Sequence, residues 1–167
     1  MEHLITRILV PSDFSESSDA ALEYARMLAD RFGASLHLVH VLHEPLLAEG
    51  LAAEAFMSEP PAIRAGLVDD ARAHLSQRAT GTSSADVVFG HTAARIVESA
   101  ARLGIDLIVM GSHGRTGLAH LMLGSVAEAV ARTALCPVLT VRTKQTLTRS
   151  STPPVEVGAM HSRQGSG

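Results

Sequence analysis

The feature that most restricts what this chain can become is the run Asp106-Leu-Ile-Val-Met110, whose last four residues are apolar without a break. A strand with one face in water alternates polar and apolar residues. One that is apolar throughout must be covered on both faces, as in a parallel sheet flanked by helices. Parallel strands need long crossovers, and the rest of the chain supplies them. Arg7-Ile-Leu-Val10, Ser35 to Leu42, Ala85-Asp-Val-Val-Phe89 and Pro137-Val-Leu-Thr-Val141 read as four further strands. Between them lie helical stretches over 16–32, 63–79, 93–103 and 126–134. Ala21, Ala25, Leu28 and Phe32 form one apolar stripe, and Ile96, Val97, Ala100 and Leu103 another. Gly33 and Gly104 stand at helix stops, and Thr92 stands where it can cap a helix. The pattern predicts an α/β fold: a doubly wound, five-stranded parallel sheet with helices on both faces and right-handed crossovers.

A length of 167 residues accommodates one such domain with a substantial core. Residues 1–143 are expected to form it. The segment 144–167 is rich in Ser, Thr, Pro and Gly without periodicity and is expected to be a disordered tail. Residues 44–61 read as an irregular excursion. A net charge of −3 gives no overall attraction to DNA or an anionic membrane. With 3% aromatic residues, stacking platforms for single-stranded nucleic acid are also disfavoured. Cys136 is the sole cysteine, so an internally disulfide-bonded scaffold is excluded. The first ten residues lack a leader pattern, and no apolar run approaches the roughly 20 residues of a spanning helix. A cytoplasmic protein is expected.

In open parallel sheets, ligands sit beyond the carboxyl ends of the strands, where the strand order reverses. Two loops carry the signal there. Pro11-Ser12-Asp13 follows the first strand. Gly111-Ser-His-Gly114-Arg-Thr-Gly117-Leu-Ala-His-Leu-Met-Leu-Gly124-Ser125 follows the fourth: glycine, two residues, glycine, nine residues, glycine and serine, then a helix. Glycines admit an anion close to backbone N–H groups, and a helix N-terminus adds aligned donors. Phosphate is the natural guest. Ser125 also fits as the helix N-cap, with Glu128 completing a capping box, and Asp13 or Ser15 can cap the first helix.

This glycine segment and the opening Ile-Leu-Val-Pro-Ser-Asp-Phe-Ser closely resemble the nucleotide-binding signature of the universal stress protein family. The likeness runs roughly from Leu4 to Arg142. It implies the ATP-binding branch of that family and a Rossmann-like fold of the adenine nucleotide α-hydrolase type. The resemblance implies a nucleotide site of Pro11, Ser12, Asp13, Val41, Met110, Gly111, Gly114, Arg115, Gly124, Ser125 and Val126. Within it, Asp13 and Val41 would face the adenine and Pro11 would shape its pocket. Gly111 and Gly114 would lie against ribose and phosphates. Gly124, Ser125 and Val126 would offer backbone and hydroxyl groups to phosphates, and Arg115 a guanidinium. The family likeness also implies a homodimer through the strand 137–141, an apolar edge that would otherwise invite uncontrolled pairing.

The leading expectation is a stress-response regulator whose ATP occupancy modulates dimerisation or the binding of a protein partner. A requirement for Mg2+ is left open. Two alternatives stand beside it: a slow ATPase or autophosphorylating enzyme, and a nucleotide-free interaction protein. No Gly-Lys-Ser/Thr phosphate loop is present, and no lysine lies in the glycine segment, so fast hydrolysis has no support. No catalytic residue is assigned, although His113 and His120 lie in the loop. Successive three-residue steps put His40 on the opposite strand face from His37 and His43, against a metal cluster. Cys136, beside a buried strand, reads as a small packed hydrophobe.

Overall fold

The structure, a computed structural model, describes residues 5–43, 61–82, 84–113 and 123–142. Residues 44–60 of the expected excursion, the tail 144–167, Gly114, Arg115 and His120 lie outside the described residues, while Pro61, the last residue of that excursion, begins a helix instead. The elements are β1 (Arg7–Pro11), α1 (Glu16–Phe32), β2 (Ser35–His43), α2 (Pro61–Arg78), β3 (Ser84–Gly90), α3 (Thr92–Leu103), β4 (Leu107–Gly111), α4 (Ser125–Thr133) and β5 (Val138–Val141). All strand pairings are parallel, in the order β3-β2-β1-β4-β5. The α/β architecture is the one the alternation of runs predicts.

Strand periodicity distributes the core. Ile8, Val10, Leu107 and Val109 face a cluster with Ala21, Leu22 and Ala25 of α1 and Leu75 of α2. Leu9, Ile108 and Met110 face the other side, with Ile96 and Ala100 of α3 and Ala127 and Val130 of α4. Both faces of β1 and β4 are therefore dry, which accounts for the unbroken apolar run at 107–110. Each large side chain so buried contributes about 1.5–3 kcal/mol.

Gly33 and Gly104 end α1 and α3 in the left-handed region, with φ of 67° and 61°. Three expectations need correction. Phe32 is 40% exposed; Leu28, Ala29 and Ala34 pack at that end of the core instead. Thr92 is the first helical residue of α3, whose N-cap is His91, and no side chain caps it. Likewise Ser125 begins α4 rather than preceding it. Gly124 is the N-cap, and Glu128 pairs with Arg132 one turn on instead of reaching back.

Cys136 is half-buried against the α3/α4 core, and burial pushes its thiol above the usual range. It is a packed, protonated side chain.

At the end of the sheet away from the glycine segment, the Asp106 carboxylate accepts from the Thr6 N–H (2.8 Å), the Thr6 hydroxyl (2.7 Å) and the Arg7 N–H (3.0 Å), joining β1 to the start of β4. The Thr6 bonds, side chain first, hold its pKa below the ordinary carboxylate value. A depressed folded-state pKa contributes stability above the unfolded value near 4, and that contribution is lost as pH falls through the folded pKa. The urea midpoint is therefore expected to fall as the solution is acidified below about pH 4, and Asp106→Asn to flatten that part of the profile. Equal acid slopes in the two proteins would remove Asp106 from the account.

Candidate functional site

The strand order turns at β1 and β4, because the chain winds outward from β1 through β2 and β3, then returns to place β4 and β5 on the other side. Loops that leave these two strands for opposite faces open a crevice between them. A cavity of about 420 Å3 lies there, in the range of small-molecule sites. It is lined from β1 and its loop by Pro11, Ser12 and Asp13, from β2 by Val41, and from β4 by Met110 and Gly111. Gly124, Ser125 and Val126 line it from the start of α4. Nine positions expected from sequence are thus brought to one cavity. Gly114 and Arg115 lie outside the described residues.

The β1–α1 loop is held by its own polar groups. Asp13 Oδ1 accepts from the Ser15 N–H (3.1 Å) and hydroxyl (2.5 Å), while Ser15 caps α1 by accepting from the Ser18 N–H (3.2 Å). Partial burial raises the Asp13 pKa, but the bonds from Ser15 and Ser18 outweigh it and leave the group below its ordinary value. Asp13 is an ionised wall of the cavity at neutral pH. Phe14, next along, has φ of 64°, a left-handed conformation costly for a side chain of this size. Neighbours hold it there. Its ring stacks on His40 with centroids 4.3 Å apart, and the Arg78 guanidinium lies 5.2 Å from its centroid. Arg78 in turn clamps Asp19 with two bonds of 2.6 and 3.0 Å, tying α2 to α1.

The opposite wall is a helix terminus left open. Gly124 N–H donates to the Ser112 carbonyl at 2.8 Å, and the Gly124 carbonyl accepts the Glu128 N–H. The N–H groups of Ser125, Val126 and Ala127 have no intrahelical acceptor, and among the described residues no side chain caps them. All three residues line the cavity. The first two turns of α3, whose N-cap His91 makes no side-chain cap bond, add Thr92 and Ile96. Orphan donors and two helix dipoles make this wall attractive to an anion. Among the described residues no group of three His, Cys, Asp or Glu could hold a metal ion.

Gly111 also has a packing role. It lines the cavity, yet a Cβ built on it meets Ser17 of α1, 2.5 Å from the hydroxyl oxygen and 2.9 Å from the backbone carbon. Its missing side chain makes room for a helix. Sequence reasoning did not include His40, Ser112, His113, Thr92 or Ile96 in the site, and all five line the cavity. The end of the third strand was the available signal, since the helix leaving it starts at the same carboxyl edge.

A model of the Universal stress protein family matches residues 5–142. Universal stress protein MJ0531 of Methanocaldococcus jannaschii is 34% identical over 145 residues, covering 84% of either chain. The solved structure of MJ0577 from that organism has a TM-score of 0.73 at 30% identity, with 86% of this chain and 99% of the other covered. Universal stress protein UspA of Lactobacillus plantarum gives a TM-score of 0.66 at 29% identity, covering 83% of this chain and 98% of its own.

Proposed function

Since the chain belongs to the universal stress protein family, we infer that it is a nucleotide-binding regulatory protein with ATP as its ligand. The observation that carries this reading is the start of α4, where Ser125, Val126 and Ala127 line the cavity at the reversal of strand order and no side chain among the described residues caps the helix. Phosphates would take the N–H donors there. The adenine would lie toward Pro11, Asp13 and Val41, with Met110 and Ser12 between. Gly114 and Arg115, from the same glycine segment, would complete the phosphate side. Asp13 is the one carboxylate among the described lining residues, so an accompanying Mg2+ would rest on phosphate oxygens and water more than on protein. Calorimetric titration of the purified protein with ATP, ADP, AMP and cyclic AMP, with and without Mg2+, tests the reading. Saturable binding of ATP supports it, and no heat beyond dilution for any of the four overturns it.

ATP occupancy would act on how the protein associates, in a cytoplasmic setting, with residues 1–143 as the working domain. Homodimerisation through β5 is part of this reading. β5 pairs with β4 on one side only, and Leu135, just before it, is 92% exposed. Pro137 and Val141 carbonyls accept from Ile108 and Ser112, so the backbone groups of Val138 and Thr140 point to the outer edge by strand alternation. Thr140→Pro removes an outward donor while leaving the β4 ladder its bonds. A shift from dimer to monomer in sedimentation equilibrium, with an unchanged circular dichroism spectrum, is expected. A dimer that persists would place the interface elsewhere.

A further inference from the structure

His40 stands on β2 where the strand passes from core to cavity. Leu36 and Leu38 pack under α1 and α2, and His40 is next in their row. Its Nδ1 lies 2.7 Å from the Ser12 carbonyl oxygen. A carbonyl only accepts, so Nδ1 carries a proton, and the neutral ring is the Nδ1–H tautomer. The Ser12 N–H in turn donates to the Val39 carbonyl at 2.9 Å, so β2 holds Ser12 by its N–H and its carbonyl alike.

The face of the same ring holds the residue on the other side of Asp13. Phe14 stacks on it with centroids 4.3 Å apart and planes 24° from parallel. Among the described residues Phe14 is the one non-glycine with a positive φ, 64°. An L side chain disfavours that conformation by roughly tenfold. His74 and the Arg78 guanidinium of α2 flank the ring farther off, at 5.5 and 5.2 Å. One imidazole thus grips Ser12 by its edge and Phe14 by its face, and Asp13, which lines the cavity, lies between them.

We propose that His40 is a positioning residue, which fixes the β1–α1 loop in the conformation that presents Asp13 to the base of a bound nucleotide. The role rests on the nucleotide-binding reading above. The Nδ1–H bond fixes the Ser12–Asp13 peptide, and the stack keeps Phe14 left-handed, so the loop is set before ligand arrives. Without that grip the loop would hold its binding conformation for a fraction of the time, and the apparent affinity would fall by that fraction.

The experiment compares wild type with His40→Ala, His40→Asn, Phe14→Ala and Phe14→Gly, by calorimetric titration with ATP and by urea unfolding without nucleotide. It also records the 15N spectrum of the histidine rings at about pH 8.5, above the ordinary imidazole range. Loss of one ring signal in His40→Ala assigns His40, which is expected as Nδ1–H. His40→Ala is expected to weaken ATP binding about tenfold, the scale of the backbone preference that the stack overcomes. His40→Asn, whose amide keeps a donor near the position of Nδ1, recovers part of the loss. Phe14→Ala loses about as much as His40→Ala, since alanine keeps the cost of a positive φ without the stack. Phe14→Gly binds ATP within about threefold of wild type, because glycine takes a positive φ freely, and it unfolds at a higher urea concentration than Phe14→Ala. A ring that merely filled space would give the reverse order, with the smaller residue worse. An Nε2–H tautomer in wild type, undiminished ATP binding by His40→Ala, or Phe14→Gly binding ATP no better than Phe14→Ala would each overturn the role while the nucleotide reading stands. Failure of wild type to bind ATP would overturn both.

Discussion

Gly111→Ala is expected to destabilise the fold by about 1–3 kcal/mol, the cost of forcing an extra carbon into a packed interior. The added Cβ would stand 2.5 Å from Ser17 Oγ, 2.9 Å from the Ser17 carbonyl carbon and 3.0 Å from its oxygen. The hydroxyl can rotate away, but the two backbone atoms belong to the first turn of α1. Relief therefore requires α1 to move off β4. Ala21 and Ala25, both fully buried, pack that helix on the sheet and resist such a shift. The measurement is urea unfolding without nucleotide, read as a lower midpoint at unchanged slope. In a domain of this size, thermal unfolding should fall by roughly 2–4 °C per kcal/mol. A variant as stable as wild type would mean that α1 does not need the space. Binding assays on Gly111 variants have to be read with this in mind, because lost binding there reports displaced packing as well as any direct contact.

Gly124→Val should behave in the opposite way, weakening ATP binding by about ten- to a hundredfold or more with little change in stability. Gly124 has φ of −61° and ψ of 147°, extended backbone open to any residue, so neither strain nor turn geometry requires glycine. What a valine changes is access to the N–H groups of Ser125 and Val126 beside it. Each hydrogen bond from such a donor to a charged oxygen is worth roughly 1.5–3 kcal/mol, and losing one is a ten- to hundredfold effect. Isothermal titration of ATP into the folded variant, alongside its urea midpoint, is the check. Unimpaired binding would sink the α4 terminus as the phosphate cradle. Together the two glycine variants separate a backbone that approaches a helix from one that approaches a ligand.

Much of the architecture was legible because strand and helix periods leave different traces. The unbroken 107–110 run required cover on both faces, and the stripe at Ala21 and Ala25 marked what supplies it. Gly33 and Gly104 closed their helices for a reason visible in the residue itself, the freedom to take a positive φ. The first loop and the described ends of the second, Gly111 to His113 and Gly124 to Ser125, meet at the cavity because the carboxyl ends of β1 and β4 adjoin at the reversal of strand order.

What sequence could not decide is how individual groups share partners. Ser125 and Glu128 have the spacing of a capping box, but the Gly124–Ser112 bond sets the start of α4 one residue earlier and leaves its donors open. Gly111 carries the same symbol as the other glycines of its motif, and the approach of Ser17, distant in sequence, gives it another purpose. His40 is a polar residue in an apolar row of β2, and its bond to Ser12 and stack on Phe14 follow only from the approach of the β1–α1 loop. Local sequence determined which segments are helix, strand and loop, since that choice depends on periodicity and on intrinsic backbone preferences. The tertiary structure alone decided which donors remain unsatisfied, because satisfaction depends on neighbours that the chain brings together only when it folds.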